Sequence, residues 1–250
     1  MKFGIIGSGG REHAICYSLK KNSDNQVYCF PGNAGTENIA TNIDIDLNNF
    51  EELKNFIKKT EIDIVIVGPE KPLVDGLVDY LENNSIKVFG PNKIASQLEG
   101  SKIFTKQICE QYNIPTAKFG IFKNSEETKI FIKKSKLPIV IKADGLASGK
   151  GVYISETLED AFEAVDEIFN GKFGVAKNIL VEEFLDGEEM SFFIISDGKN
   201  ISEFETAQDH KRVLEGDRGK NTGGMGAYSP SRLITPNLKE KIIDKIINPT

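Results

Sequence analysis

The sequence predicts an α/β chain in two parts: a doubly wound, parallel-sheet N-terminal domain over residues 1–100, then a β-rich second domain over 101–250. Three observations carry this. Residues 2–90 alternate short apolar runs with stretches of helical period, the pattern of strand–helix–strand units. The apolar runs are almost uniformly hydrophobic, Ile62–Val67 above all, as strands covered on both faces must be. The alternation then breaks around Gly90–Gly100, and 250 residues is long for one domain.

In the first domain Lys2–Ile6, Gln26–Phe30, Ile62–Val67 and Ile86–Phe89 read as strands, and Arg11–Leu19, Phe50–Lys59 and Leu73–Leu81 as helices. Phe50, Leu53, Phe56 and Ile57 share one helix face, and Asn49 with Glu52 makes a capping-box pattern. The second domain opens with a helix capped by Ser101, carrying Phe104, Ile108 and Tyr112 on one side and ending before the Asn113–Pro115 turn. A small subdomain follows over 117–184. Its strands are Lys118–Phe122, Ile139–Ala143, Val152–Ile154 and Ile179–Phe184. Its helices lie near Glu126–Lys134 and from Leu158 to Phe169, the latter capped by Thr157 with Asp160 three residues on. A hairpin is expected at Asp197–Gly198. Residues 209–230 are polar and glycine-rich and read as loop, and Asn237–Ile247 reads as helix.

Composition removes several function classes. With 31 basic and 37 acidic residues the net charge is −6, which argues against a general nucleic-acid or anionic-membrane binder. No apolar run approaches the roughly 20 residues that span a bilayer, and the opening MKFGIIGSGG is unlike a signal peptide. Three scattered cysteines and two histidines give no zinc or disulfide framework, so a cytoplasmic protein is expected.

The sharpest motif is PIVIKADGLASGKGV, residues 138–152. A buried strand delivers Lys142, and the loop behind it holds Gly145, Ala147, Ser148, Gly149, Lys150 and Gly151 before Val152. Glycines let the backbone approach a polyphosphate and aim N–H groups at it, while the lysines supply charge. The spacing is not that of a Walker A loop, and a plain glycine-bearing hairpin is the competing reading. The next motif is VEEFLDGEE, residues 181–189, where a strand ends in Glu182 and Glu183 and runs through Phe184 and Leu185 to Glu188 and Glu189. Alone, such an acidic turn is usually a solvated surface feature. Placed after a phosphate loop, its carboxylates can meet ribose hydroxyls and its backbone an adenine edge.

GIIGSGGREHA, residues 4–14, sets Gly7, Gly9 and Gly10 between the first strand and a helix. Glu12 occupies the third glycine position of a dinucleotide fingerprint, and Phe30–Pro31–Gly32 stands where a ribose-binding acid belongs, so NAD binding is rejected. What remains is a helix N-terminus able to hold an anion, with Arg11 in support and His13 read as packed or capping. The loops Pro31–Gly32–Asn33–Ala34–Gly35–Thr36, Gly68–Pro69–Glu70 and Gly90–Pro91–Asn92 lie at the same strand ends, where open α/β sheets bind ligands. Finally, Asp209, Lys211 and Arg212 with Asn221, Thr222, Gly223, Gly224 and Gly226 fit a segment closing over substrate.

Taken together these stretches resemble the ATP-grasp superfamily and, within it, the phosphoribosylamine–glycine ligase family of purine biosynthesis. GSGGREHA, PGNAGT, IVGPEKPLV, QLEGSK, FTK, IPTA, PIVIKADGLASGKGV, VEEFLDGEEMSF, QDHKR and NTGGMGAYSP stand in that family's order along the whole chain. The first, PGNAGT and NTGGMGAYSP segments are the most specific, with Ser8 in place of the common Asn. The resemblance implies that the second domain is an incomplete ATP-grasp (α+β) domain. It also implies ATP-dependent formation of glycinamide ribonucleotide from glycine and 5-phosphoribosylamine through a glycyl phosphate. By resemblance Lys102 and Lys142 bind phosphate, 145–151 is the flap, Glu182 to Leu185 the adenine hinge and Glu189 the ribose acid. Lys142 and Lys150 are the catalytic candidates. The loops at 9–12, 31–36 and 68–70, with Asp209 to Arg212 and Asn221 to Gly226, would face the ribosyl substrate and glycine.

The family continues past this point, so the chain is expected to be an N-terminal fragment with little or no ligase activity alone. Its Mg2+ or Mn2+ ligands are expected beyond residue 250, and a monomer is expected. The rival readings are another ATP-grasp ligase, against which NTGGMGAYSP speaks, and a non-catalytic truncated nucleotide-binding module.

Overall fold

The structure, a computed structural model, describes residues 1–145, 151–172, 174, 178–216 and 218–250, apart from the side chains of Arg218, Lys220 and Asn221. The predictions placed on Ala147, Ser148, Gly149 and Lys150 lie outside the described residues. The chain divides into two compact units, Met1–Ser101 and Lys102–Thr250.

The first unit runs β1 (Lys2–Gly7), α1 (Gly10–Lys20), β2 (Gln26–Pro31), β3 (Thr41–Asn42), α2 (Phe50–Thr60), β4 (Ile64–Val67), α3 (Glu70–Asp75), α4 (Leu77–Asn83), β5 (Val88–Phe89) and α5 (Gln97–Gly100). Its five strands are parallel in the order β3-β2-β1-β4-β5. Side chains alternate across a strand. Thus Ile6, Phe30, Val65 and Val67 join Leu53, Ile57, Leu77 and Leu81 on one face. Ile5, Val27 and Cys29 meet Cys16 on the other. Helices therefore cover both faces, which is the doubly wound arrangement the uniform strands predicted. Each fully buried Leu or Ile contributes about 1.5–3 kcal/mol. The capping reading at Asn49 holds: its Oδ1 accepts the Glu52 N–H at 3.2 Å. The helix predicted over Leu73–Leu81 is instead two helices, because Gly76 adopts φ +96, a left-handed conformation that ends α3.

The second unit begins with α6 (Lys102–Gln111) and continues β6 (Phe119–Phe122), α7 (Ser125–Lys133), β7 (Ile139–Ala143), β8 (Val152–Ser155), α8 (Leu158–Phe169) and β9 (Ile179–Glu183). The strands form an antiparallel sheet in the order β6-β9-β7-β8. Ile139, Ile141, Ala143, Ile179 and Val181 point to one face and pack on Ile132 of α7 and Ala161, Ala164, Val165 and Ile168 of α8. Both helices start on side-chain caps: Asn124 accepts from Glu127 N at 2.9 Å, and Thr157 from Asp160 N at 3.1 Å. The residues between, Val140, Lys142, Leu180 and Glu182, belong to the opposite face.

Beyond the sheet, β10 (Ile194–Ser196) and β11 (Ile201–Glu203) form a hairpin across the predicted Asp197–Gly198 turn. The Asp197 carboxylate accepts the Asn200 amide first of all, and the Lys199 amide, which lowers its pKa to about 2. The segment read as loop over 209–230 is instead a two-stranded ribbon, β12 (Gln208–Leu214) against β13 (Arg218–Tyr228). Glycine density hid it. The ribbon is held by cross-strand contacts rather than strand propensity: the Tyr228 hydroxyl donates to Gln208, His210 stacks on Tyr228 at 6.0 Å, and Thr222 Oγ1 donates to Lys211 O at 2.9 Å. The chain ends in α9 (Pro236–Ile242), which runs on as a wider helical turn over Ile243–Ile247.

Candidate functional site

The sheet face opposite α7 and α8 carries Lys142 and Glu182. Lys142 sits next to the end of β7, paired with Val152 on one side and Leu180 on the other. Its ammonium is ion-paired with Glu182 on β9. Glu182 is only 4% exposed, and its other oxygen lies 2.6 Å from Lys106 of α6. Lys106 is itself buried. It donates to Thr116 Oγ1 at 2.5 Å and to Ala117 O at 3.3 Å, and it stands 5.3 Å over the Phe119 ring. Lys102, one turn earlier on α6, donates to Gly145 O at 2.8 Å. The Ile103 amide at the same helix start donates to Asp144 Oδ1 at 3.2 Å. Gly145 has φ +95, which turns the chain sharply out of β7, and Gly151 returns it by accepting the Ala143 N–H at 2.8 Å. Lys102, Lys142, Gly145, Gly151 and Val152 thus converge at one sheet end, two cations beside a glycine turn. Such an arrangement can hold a polyanion.

At the end of β9, Glu183 accepts the Lys118 N–H at 2.9 Å, so its carboxylate fixes the start of the following segment. Phe184 and Leu185 are exposed there. Glu189 is ion-paired with Lys211 of β12, and that carboxylate raises the Lys211 pKa above the ordinary lysine value. Asp209 lies 3.7 Å from the same ammonium. Arg212 donates to Gly219 O at 3.2 Å and pairs in register with Asn221, while the Gly224 amide donates to Thr222 Oγ1 at 3.0 Å. Gly226 faces His210, so the predicted residues of QDHKR and NTGGMGAYSP lie on the two strands of one ribbon.

The first unit has a cavity of about 570 Å³ at the carboxyl ends of β1 and β4, where the sheet order reverses direction. Gly9, Gly10, Arg11, Glu12, Pro69 and Glu70 line it. Arg11 is oriented across it, donating to Gly68 O at 2.5 Å with Glu70 at 3.4 Å. Glu12 has a structural duty. It is 4% exposed and accepts the Gly9 amide at 2.6 Å, and a Cβ at Gly68 would overlap its carboxylate. Pro31, Gly32, Asn33, Gly35 and Thr36 are not among the lining residues. They form a turn in which Asn33 Oδ1 accepts the Gly35 and Thr36 amides at 2.7 and 3.0 Å, and Asn33 Nδ2 ties the turn to Ser8 O at 2.8 Å.

Sequence reasoning passed over Lys106, Asp144 and Asp75, the last of which also lines the cavity. A signal existed for the first. Lys102 and Lys106 are one helical turn apart, where like charges repel unless anions lie between or beside them. Among the described residues no group of three or more His, Cys, Asp or Glu side chains is gathered to hold a metal ion. No described helix is long and apolar enough to cross a membrane.

Residues 1–99 match the family model for the phosphoribosylglycinamide synthetase N domain, and residues 100–250 that for its ATP-grasp (A) domain. A phosphoribosylamine–glycine ligase of Brucella melitensis is 50% identical over 252 residues, covering 100% of this chain and 59% of the relative. The chloroplastic enzyme of Arabidopsis thaliana is 50% identical over 246 residues, covering 96% of this chain and 46% of its own length. The crystal structure of phosphoribosylamine–glycine ligase from Thermotoga maritima superposes with TM-score 0.82 at 35% identity, covering 100% of this chain and 61% of that one. A biotin carboxylase domain from Hydrogenobacter thermophilus, in complex with MgADP, ADP and bicarbonate, shares the fold with TM-score 0.76 at 19% identity, covering 99% of this chain and 57% of that one. The chain thus spans about 60% of the length of the bacterial ligase relatives it matches. With both of its units matched in order and along their whole length, the chain belongs to the phosphoribosylglycinamide synthetase family.

Proposed function

We propose that the chain supplies the ATP site and substrate-binding loops of a ligase that joins glycine to 5-phosphoribosylamine, giving glycinamide ribonucleotide, ADP and phosphate in purine biosynthesis. One observation carries this reading: Lys102, Lys142 and the glycine turn converge on a sheet face beside the Glu182–Leu185 segment, in a chain whose relatives are ligases of that name. The γ-phosphoryl group of ATP passes to a glycine carboxylate oxygen, leaving ADP and glycyl phosphate. The amine nitrogen of phosphoribosylamine then attacks the acyl carbon, the C–N bond forms, and phosphate leaves with the former carboxylate oxygen. Phosphoryl transfer asks mainly for positioned positive charge, which Lys102 and Lys142 provide, with Lys150 in the same role.

In this reading Gly145 to Val152 cover the triphosphate, Glu182 to Leu185 border the adenine, and Glu189 takes the ribose hydroxyls once Lys211 releases it. Asp209 to Arg212 and Asn221 to Gly226 border glycine. The anion-ready start of α1, with Arg11, receives the ribosyl phosphate. The divalent cation that such ligases use is not assigned to any side chain of this chain. A binding titration and an activity assay test the proposal. ATP should bind the chain, with AMP and NADH much weaker; equal affinity for NADH would sink the nucleotide assignment. ADP release by protein carrying this chain should require both glycine and phosphoribosylamine, each omitted in turn.

A further inference from the structure

The Lys106–Glu182–Lys142 row poses a problem of charge. Glu182 and Lys142 alone would be a neutral pair, and a lysine neutralised at short range attracts a phosphate poorly. Lys106 changes that balance. Its side chain is 10% exposed and its ammonium is held by Glu182, Thr116 and Ala117, so it forms the buried end of the row. Lys142 is 27% exposed at the open end of the row. The three groups carry a net charge of one, with the buried cation at the back and the accessible one in front.

We propose that Lys106 is a positioning residue: by taking up the charge of Glu182 from behind, it leaves Lys142 able to exchange its carboxylate partner for a nucleotide phosphate. This rests on the reading of Lys142 as a phosphate ligand. Two features support the division of labour. Thr116, Ala117 and Phe119 fix Lys106 from an element other than the one bearing Glu182, so its place does not depend on the carboxylate. And Glu182 presents a different oxygen to each lysine, Oε1 to Lys106 and Oε2 to Lys142, so both pairs form at once. Without Lys106, the buried carboxylate would direct its whole charge onto Lys142, and attraction to a poorly solvated charge is strong.

The test is the ratio of ATP to adenosine affinity, measured by calorimetric titration of ATP and displacement by adenosine. That ratio isolates phosphate contacts, and a mere loss of stability does not move it in folded protein. Lys106→Met should lower it about tenfold, the low end for losing a hydrogen bond to a charged group, while Lys106→Arg keeps most of it. Lys106→Met combined with Glu182→Gln should recover most of the ratio, because Lys142 is then free of its carboxylate. An unchanged ratio in folded Lys106→Met, or a double variant worse than the single, overturns the proposal. Should Lys106→Met fail to fold, Lys106→Gln keeps donors for Thr116 and Ala117 and carries the same test. Wild-type protein with no preference for ATP over adenosine would overturn the phosphate-site reading first, and this inference with it.

Discussion

Removing the Glu182 carboxylate should cost the second unit about 3 kcal/mol. Glu182 is 4% exposed and bridges two ammonium groups, one at 2.6 Å. Breaking a buried ion pair by deleting one partner costs about 3–5 kcal/mol, because the other charge is left without compensation. The low end applies, for two reasons read from the geometry. Lys106 keeps Thr116 Oγ1 and Ala117 O as acceptors, and Lys142 has enough exposure to turn to water. A loss of 1 kcal/mol shifts Tm by roughly 2–4 °C for a unit of about 150 residues, so 3 kcal/mol predicts a fall of roughly 6–12 °C for Glu182→Ala. Differential scanning calorimetry measures the shift. Hydrogen exchange followed by mass spectrometry assigns it, through lost protection in Ile139–Ala143 and Ile179–Glu183. Glu182→Gln, which keeps the shape and loses the charge, should lose nearly as much. If both variants melt within about 1 °C of the parent, the row is held by something other than its charges, and the argument fails.

Two further outcomes follow from the same contacts. Gly68→Ala should destabilise the first unit by about 2 kcal/mol, since its Cβ overlaps the buried Glu12 carboxylate; adding Glu12→Ala should return part of that loss in urea denaturation, and a doubly worse variant would count against the clash. Asp166 tests pH. Hydrogen bonds from Lys129 and Ser125 lower its pKa, so the interaction stabilises the fold above the unfolded carboxylate value near 3.9 and is lost as pH falls through the depressed folded value. The urea midpoint should therefore drop below pH 4 in the parent and drop less in Asp166→Asn, and parallel pH profiles would refute this.

How much of this was legible depended on the kind of signal each residue carries. The parallel sheet was legible because burial on both faces forces uniform strands, and Ile64–Val67 has nothing but β-branched residues to offer. The caps at Asn49 and Thr157 were legible because they are local, each closed within three residues. Gly76 was not read as a break, since a single glycine in a helical pattern usually costs only about 1 kcal/mol; here it takes a left-handed φ and ends α3. The β12–β13 ribbon was not legible because its stabilising contacts join residues far apart in sequence, such as Gln208 with Tyr228, while its composition spells turn. For the candidate site, the glycine turn, its lysines and the Glu182–Leu185 segment stood out, but the buried Lys106 did not. Glu182 was read as the start of a segment bordering the adenine, but its ion pairs were not legible, because only the strand pairing shows that its side chain shares a sheet face with Lys142.

Lys106 shows why such residues escape sequence reading and why they are informative once placed. A lysine one turn after another lysine, on a helix that must bury part of its surface, breaks two local preferences at once: like charges are adjacent, and a charge is taken out of water. Natural sequences keep such conflicts where something outside the element compensates, and that is most often at a site of function. The compensation here is Glu182, far along the chain on β9. The order of dependence then runs from fold to chemistry: the hydrophobic face of β7 and β9 sets their register, the register sets Glu182 beside Lys142, and the buried Lys106 decides how much positive charge the open end of the row presents.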